Sequence, residues 1–157
     1  MTCMAMSGNK GLINAVVLFV TLCATLSAYA VDEINTTFFG KLAIEGYDAV
    51  AYFTENRAVE GDKQYQYQWK GANWRFSSAQ NLEKFKAEPE RYAPQYGGYC
   101  AYAVAINDTA KIDPTQFTIH QGKLYLNYNA KINKKWLANR DEYIRDADKN
   151  WPELLEK

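Results

Sequence analysis

The N-terminal thirty residues limit what this chain can fold into more than any other feature. They contain one charged side chain, Lys10, followed by an apolar run from Leu12 to Leu26 and the small-residue site Ala28-Tyr29-Ala30. This order is typical of a cleavable secretory signal peptide. A membrane-spanning helix needs about 20 apolar residues, and this run is shorter. We therefore expect cleavage after Ala30 and a mature protein that is periplasmic or secreted.

Signal cleavage also sets the size and charge of the mature chain. Removing residues 1–30 leaves 157 − 30 = 127 residues, enough for one domain with its own core. We divide the chain into a signal peptide (1–30), a polar lead-in (31–41) and a folded domain (42–157). The 18 basic and 18 acidic side chains lose only Lys10, which leaves a net charge of −1. Because no basic excess remains to neutralise phosphates, we expect no nucleic-acid partner.

The same cleavage changes the cysteine content. Cys3 and Cys23 lie in the signal segment, so Cys100 becomes the only thiol and no internal disulfide can form. The bulky Leu22 disfavours lipid attachment at Cys23. A lone thiol in an oxidising compartment is buried, paired with another chain, or reactive. After cleavage no apolar run is long enough to span a membrane, and the sequence indicates no particular protein partner.

Aromatic residues alternate with polar ones between Tyr65 and Phe76. This period of two is typical of half-buried strands. We expect a hairpin with a four-residue loop, 70–73, that pairs Trp69 with Trp74. One face of this hairpin is then entirely aromatic.

A second hairpin is expected over residues 117–126. The two-residue turn Gln121-Gly122 pairs Ile119 with Leu124, which places the apolar residues on one face. Between the hairpins, residues 92–105 alternate small residues with tyrosines, a pattern typical of a buried turn and strand. The Gly97-Gly98 pair in this segment permits positive φ or a close backbone approach.

Helical patterns occupy the centre and the C-terminal end of the domain. A helix is expected from Ser78, a good N-cap residue, to Ala87. Pro89 prevents the helix from continuing. Apolar residues recur with helical spacing over 132–151, whereas the apolar run 50–53 is interpreted as a strand. The sequence therefore predicts a small single α+β domain with two short antiparallel hairpins, a short central helix and C-terminal helices.

Three blocks of sequence resemble the YHS-domain family, most closely its small exported bacterial members. These blocks are residues 46–53, 74–85 and 89–102, and the resemblance extends over residues 42–155. Other YHS domains occur in heavy-metal ATPases and metal-handling proteins, so the resemblance implies a metal-handling module. Their Phe-Cys-Ser-x-x-Cys-x-x-x-Phe stretch aligns with residues 76–85. The two cysteines then fall on Ser77 and Asn81, and neither is a soft thiolate ligand.

Cys100 is the strongest candidate site residue. A thiolate binds Cu(I), so copper is the candidate metal, although no cofactor is identified. The alternative is a small buried residue in a tyrosine-rich core. Asp48 is either a hard ligand or an acceptor for backbone N–H groups in a turn. The tyrosines near these residues either line a ligand pocket or belong to the core: Tyr47, Tyr96, Tyr99 and Tyr102.

Function follows from the resemblance and from missing motifs. The only histidine, His120, is expected to be a solvated residue beside the turn, and no common hydrolase, P-loop or zinc-protease motif is present. We therefore expect no enzyme. The predicted function is an exported, non-catalytic YHS-type binding module that takes copper or a small ligand around Cys100. The alternative is a structural or protein-interaction domain in which Cys100 is buried and inert.

Overall fold

The computed structural model describes residues 31–156, so the expected signal peptide lies outside the described residues. Ten elements follow in chain order: α1 (Ala51–Thr54), β1 (Asp62–Trp69), β2 (Ala72–Phe76), α2 (Ala79–Ala87), α3 (Pro89–Tyr92), α4 (Ala101–Ala105), β3 (Asp113–His120), β4 (Lys123–Asn127), α5 (Ala130–Ala138) and α6 (Arg140–Glu156). Short 3-10 turns cover Ile44–Gly46 and Gln95–Gly98. Within residues 31–156, none of the helices combines the length and the apolar character needed to cross a membrane. The two hairpins and the helices confirm the α+β prediction.

The first hairpin has a different register from the one that the sequence predicts. Trp69 pairs with Ala72 across a two-residue turn, Lys70-Gly71, so the predicted four-residue loop and its pairing of Trp69 with Trp74 are wrong. Both turn residues have positive φ, 48° and 72°, as the favoured type of two-residue hairpin turn requires. A shift by two residues keeps every side chain on the same face. The aromatic face is therefore retained, and Trp74 is buried on it.

The apolar run 50–53 forms most of helix α1 rather than the predicted strand. The backbone N–H groups of Val50 and Ala51 donate to the Asp48 carboxylate, at 2.8 and 3.2 Å. These are N–H groups at the start of a helix, where no intrahelical acceptor exists. Residues 101–105 likewise form helix α4 and not a strand.

The second hairpin has the predicted register, with Ile119 opposite Leu124. Its strand β4 separates two clusters of buried residues, because successive side chains point to opposite faces. Leu124 and Leu126 pack into the first cluster, with hairpin β1–β2 and α2. Tyr125, between them, is 2% exposed and packs into the second cluster, with α4, α5 and α6.

Candidate functional site

Asp48 is fully buried and accepts five hydrogen bonds. Its Oδ1 atom accepts from the backbone of Val50 and Ala51. Its Oδ2 atom accepts from the Ser77 backbone at 2.8 Å, the Ser77 hydroxyl at 2.7 Å and Asn81 Nδ2 at 2.7 Å. A carboxylate offers about four lone-pair positions, so these donors occupy its accepting capacity. Asp48 thereby joins α1, the end of β2 and α2.

Ser77 and Asn81 stand where the resemblance places the family's two cysteines. The Ser77 hydroxyl and the Asn81 amide instead hold the Asp48 carboxylate, and Asn81 Nδ2 lies 3.4 Å from Ser77 Oγ. All three groups are hydrogen-bonded to one another, and the Asn81 side chain is buried. In this chain the two positions therefore build a hydrogen-bonded cluster that fastens α2 to the N-terminal half of the domain.

Cys100 is a free, buried thiol, 1% exposed. Its Sγ atom lies 3.6 Å from Asn127 Oδ1. The same amide oxygen accepts from the Tyr102 backbone at 3.2 Å, and Asn127 Nδ2 donates to Asn133 Oδ1 at 3.1 Å. The thiol is thus buried against β4, next to an amide oxygen, which is a hard rather than a soft metal ligand.

The predicted tyrosines take different partners. The Tyr47 hydroxyl donates to the exposed Glu60 carboxylate at 3.4 Å, and the Tyr102 hydroxyl accepts from Lys135 Nζ at 2.5 Å. Cys100 belongs to the first cluster and Tyr47 packs against it, whereas Tyr102 borders both clusters.

Tyr96 and Tyr99 come together around Trp151 of α6. Their ring centroids lie 6.1 and 5.8 Å from that of Trp151. The Tyr96 hydroxyl donates to Asp148 Oδ1 at 2.8 Å. Burial, reinforced by the hydrogen bond to this carboxylate, raises the pKa of Tyr96 well above its ordinary value. The phenol therefore stays protonated and acts as a donor.

His120 lies beside the turn, as the sequence predicts, but its side chain is only 19% exposed and not solvated as expected, with Nε2 3.6 Å from Asp141 Oδ1 on α6. Among residues 31–156, no group of three or more His, Cys, Asp or Glu side chains could hold a metal ion.

A cleft that the sequence does not reveal opens between the two halves of the domain. Its volume is about 250 Å³. Three aromatic residues and four charged ones line it, and we call it the tryptophan cleft: Trp69, Tyr96, Trp151, Glu33, Lys70, Glu90 and Asp148. These residues come from the lead-in, the first hairpin turn, the segment 90–97 and α6. Segments that are far apart in sequence therefore converge on one concave surface.

Residues 95–97, from the turn 95–98, form part of the lining of this cleft. Tyr96 and Gly97 both have positive φ, 54° and 59°, which only glycine adopts readily. A Cβ atom on Gly97 would lie 1.9 Å from the Glu33 carbonyl oxygen. The Asn35 N–H also donates to the Gly97 carbonyl at 2.9 Å. The Gly97-Gly98 pair was the sequence signal for this close approach, and it fixes the lead-in residues against the domain.

At one rim of the cleft, the ammonium group of Lys70 contacts two carboxylates and an aromatic ring. Lys70 Nζ lies 2.5 Å from Glu33 Oε1 and 3.1 Å from Glu90 Oε1. It also lies 4.8 Å from the centroid of the Trp69 ring. These contacts raise the pKa of Lys70, chiefly through the hydrogen bond to Glu33. With Asp148, the lining has three carboxylates and one ammonium, a formal charge of −2.

Comparison with protein-family models matches part of the chain. The family model described as YHS domain matches residues 50–96. Neither the curated proteins nor the solved structures contain a match. The matched stretch runs from α1 to Tyr96, so it includes Ser77 and Asn81 and most of the cleft, whereas Cys100 lies beyond it. Residues 50–96 of this chain are a YHS domain.

Proposed function

We propose that this protein is an exported, non-catalytic binding module whose ligand site is the tryptophan cleft. The observation that carries the proposal is the convergence of Trp69, Tyr96 and Trp151 with four charged side chains in one open concavity. Small-molecule sites are concave, rich in aromatic surface and supplied with a few fixed polar groups. The cleft has this composition, and close contact between Gly97 and residues 33–35 holds part of its lining in place.

Copper binding at Cys100 fits the structure less well. Cu(I) prefers sulfur ligands, whereas the thiol contacts the Asn127 amide oxygen at 3.6 Å. The thiol is 1% exposed, so a metal would need an opening of the core to reach it. The YHS domain suggests metal handling at the level of the family, but the Ser77 hydroxyl and the Asn81 amide donate hydrogen bonds to Asp48.

A binding role rather than a catalytic one accords with the separation of the nucleophile from the base. Cys100 contacts Asn127 inside the core, whereas His120 pairs with Asp141 at the edge of the second hairpin. A thiol nucleophile needs a base within hydrogen-bond reach. Export is supported by the apolar run 12–26 and the site at Ala28-Tyr29-Ala30, and it predicts that the mature protein begins at Val31.

Protein interaction is a second candidate function, and one observation favours it. Phe38 and Phe39 are 92% and 84% exposed, with ring centroids 4.9 Å apart. Their loop is fixed, because the Thr37 N–H donates to the Leu42 carbonyl at 3.0 Å. Sedimentation equilibrium tests whether this pair joins two copies of the chain. Association that Phe38→Ser/Phe39→Ser abolishes would support the second function, and a monomer at all concentrations would count against a second copy as the occupant.

A fragment titration tests the cleft as the ligand site. The purified protein is titrated with a set of neutral and charged aromatic fragments, and the indole N–H signals of its tryptophans are followed by NMR. We expect saturable shifts at Trp69 and Trp151, and loss of binding in Trp151→Leu. Tyr128→Ala, which removes a 43% exposed ring away from the cleft, is the matched control. Fragments that bind only elsewhere, or that bind Trp151→Leu equally well, would overturn the proposal.

A further inference from the structure

We propose that the tryptophan cleft selects small organic cations, with the ligand's ammonium or guanidinium group held by Asp148 beside Tyr96 and Trp151. This inference rests on the proposed function, because it names the ligand class of that site. Three features of the cleft lead to it: the formal charge of its lining, the ammonium-binding position (below, a seat) that Lys70 already occupies, and the position of Asp148.

The formal charge of the cleft lining determines whether the cleft attracts a positive or a negative ligand. The three carboxylates and one ammonium of the lining leave a formal charge of −2, whereas the mature chain as a whole is close to neutral. Negative charge is therefore concentrated in the cleft. A concave site with an excess of negative charge in its lining attracts cations and repels anions.

Lys70 shows the chemistry that this surface accommodates. Its ammonium group is held by Glu33 and Glu90 and lies over the Trp69 ring. Two carboxylates and an aromatic ring form the environment in which proteins stabilise ammonium groups, by ion pairing and by cation–π attraction. The cleft thus contains one such seat, filled by its own side chain.

Asp148 offers a second seat of similar composition. Its Oδ1 atom accepts from the Tyr96 hydroxyl at 2.8 Å, and Trp151 packs against the same tyrosine. Within residues 31–156, Asp148 forms no ion pair with a basic side chain of the protein. The carboxylate, the phenol and the indole therefore provide a negative charge and aromatic surface for a cation that comes from outside the chain.

Three probes of nearly equal shape test the ligand class: phenethylammonium, 2-phenylethanol and 3-phenylpropionate, which are positive, neutral and negative. We expect phenethylammonium to bind at least about tenfold more tightly than the alcohol, and phenylpropionate to bind least. Asp148→Asn keeps an acceptor for Tyr96 and should bring the ratio of the ammonium and alcohol affinities close to one. Asp146→Asn, an exposed aspartate on the same helix and outside the cleft lining, removes the same charge and should leave the ratio unchanged.

Removing the internal ammonium gives an independent test. Lys70→Met empties the seat between Glu33 and Glu90 and makes the lining more negative by one charge, so phenethylammonium should bind more tightly and phenylethanol should not. Equal or tighter binding of the neutral or negative probe at the cleft would overturn the cation inference and leave the proposed ligand site in place. Failure of all three probes to shift the Trp69 and Trp151 indole signals would overturn the cation inference. Failure of the wider fragment set at the same signals would overturn the proposed function as well.

Discussion

The Nδ2 atom of Asn81 lies 2.7 Å from the Oδ2 atom of Asp48. Both side chains are buried, and they join α2 to the turn that starts α1. Asn81 occupies one of the two positions at which related YHS domains are expected to carry a cysteine. The contact therefore shows what this chain has in place of a pair of soft ligands: neutral donors arranged around one carboxylate.

Asp48→Asn should destabilise the fold strongly. The amide NH2 of Asn would face either the backbone N–H groups of Val50 and Ala51 or the donors of Ser77 and Asn81, and the donors that it faces would lose their acceptor. Loss of charge-assisted hydrogen bonds with buried donors left unpaired costs about 3 kcal/mol. Urea unfolding of the wild type and the variant measures this loss. Asp62→Asn, at an exposed residue that bonds only the nearby Gln64 N–H, should cost much less, and equal losses in the two variants would contradict the structural role of Asp48.

Gly97→Ala should loosen the lead-in. The new Cβ would meet the Glu33 carbonyl oxygen at 1.9 Å and would also require φ of +59°, so the backbone at residues 33–35 must move. Hydrogen exchange of the Asn35 amide, which donates to Gly97, should become faster. Gly122→Ala has a similar φ, +74°, with no atom within 4 Å. Gly122→Ala therefore has the energetic cost of a positive φ without the steric clash, and it serves as the control. Unchanged hydrogen exchange of the Asn35 amide in Gly97→Ala would argue against the close approach.

Tyr96 should make the fold sensitive to alkali. Burial and the hydrogen bond to Asp148 raise its pKa above the ordinary value of 10.0. Its stabilisation is therefore complete below pH 10 and is lost as the pH rises toward the folded pKa, because the unfolded chain releases the proton first. One such proton changes the free energy of unfolding by about 1.4 kcal/mol per pH unit. Tyr96→Phe should flatten the decline above pH 10, and an unchanged slope would contradict this role; exposed Tyr128→Phe is the control.

Cys100 should be unreactive in the folded protein. Because the thiol is 1% exposed, a thiol reagent should modify it only after unfolding, at the rate at which the core opens. Titration with Cu(I), Cu(II) and Zn(II) should give no stoichiometric binding that depends on this residue. A bound Cu(I) equivalent that Cys100→Ser abolishes would restore the thiol as the ligand site and contradict the choice of the cleft.

The parts of the fold that sequence reasoning predicts correctly are those fixed locally. The turn Gln121-Gly122 fixes the register of the second hairpin, and Ser78 marks the start of α2. The first hairpin shows the limit of this reasoning, because an aromatic alternation fits two registers that differ by two residues and share a face. The run 50–53 shows another limit, since a short apolar run suits a strand or a buried helix equally. The Asp48 carboxylate, which accepts from the Val50 and Ala51 N–H groups, favours the helix.

The candidate site also has features that the sequence could predict and features that it could not. Burial of Cys100 and the acceptor role of Asp48 were among the alternatives that the sequence left open. The cleft could not be found from sequence patterns, because Glu33, Trp69, Tyr96 and Trp151 belong to four segments that only the tertiary fold brings together. The paired glycines 97 and 98 were its one local signal, and they indicated a tight backbone approach rather than a ligand.

The indole N–H signal of Trp151 provides the most direct test of the ligand site. Phenethylammonium is added to the wild-type protein, and the signals of Trp151, the Cys100 amide and the buried Trp136 are followed together. We expect a saturable shift at Trp151, with the Cys100 amide and Trp136 unchanged. A saturable shift at Cys100 with Trp151 unmoved would contradict it.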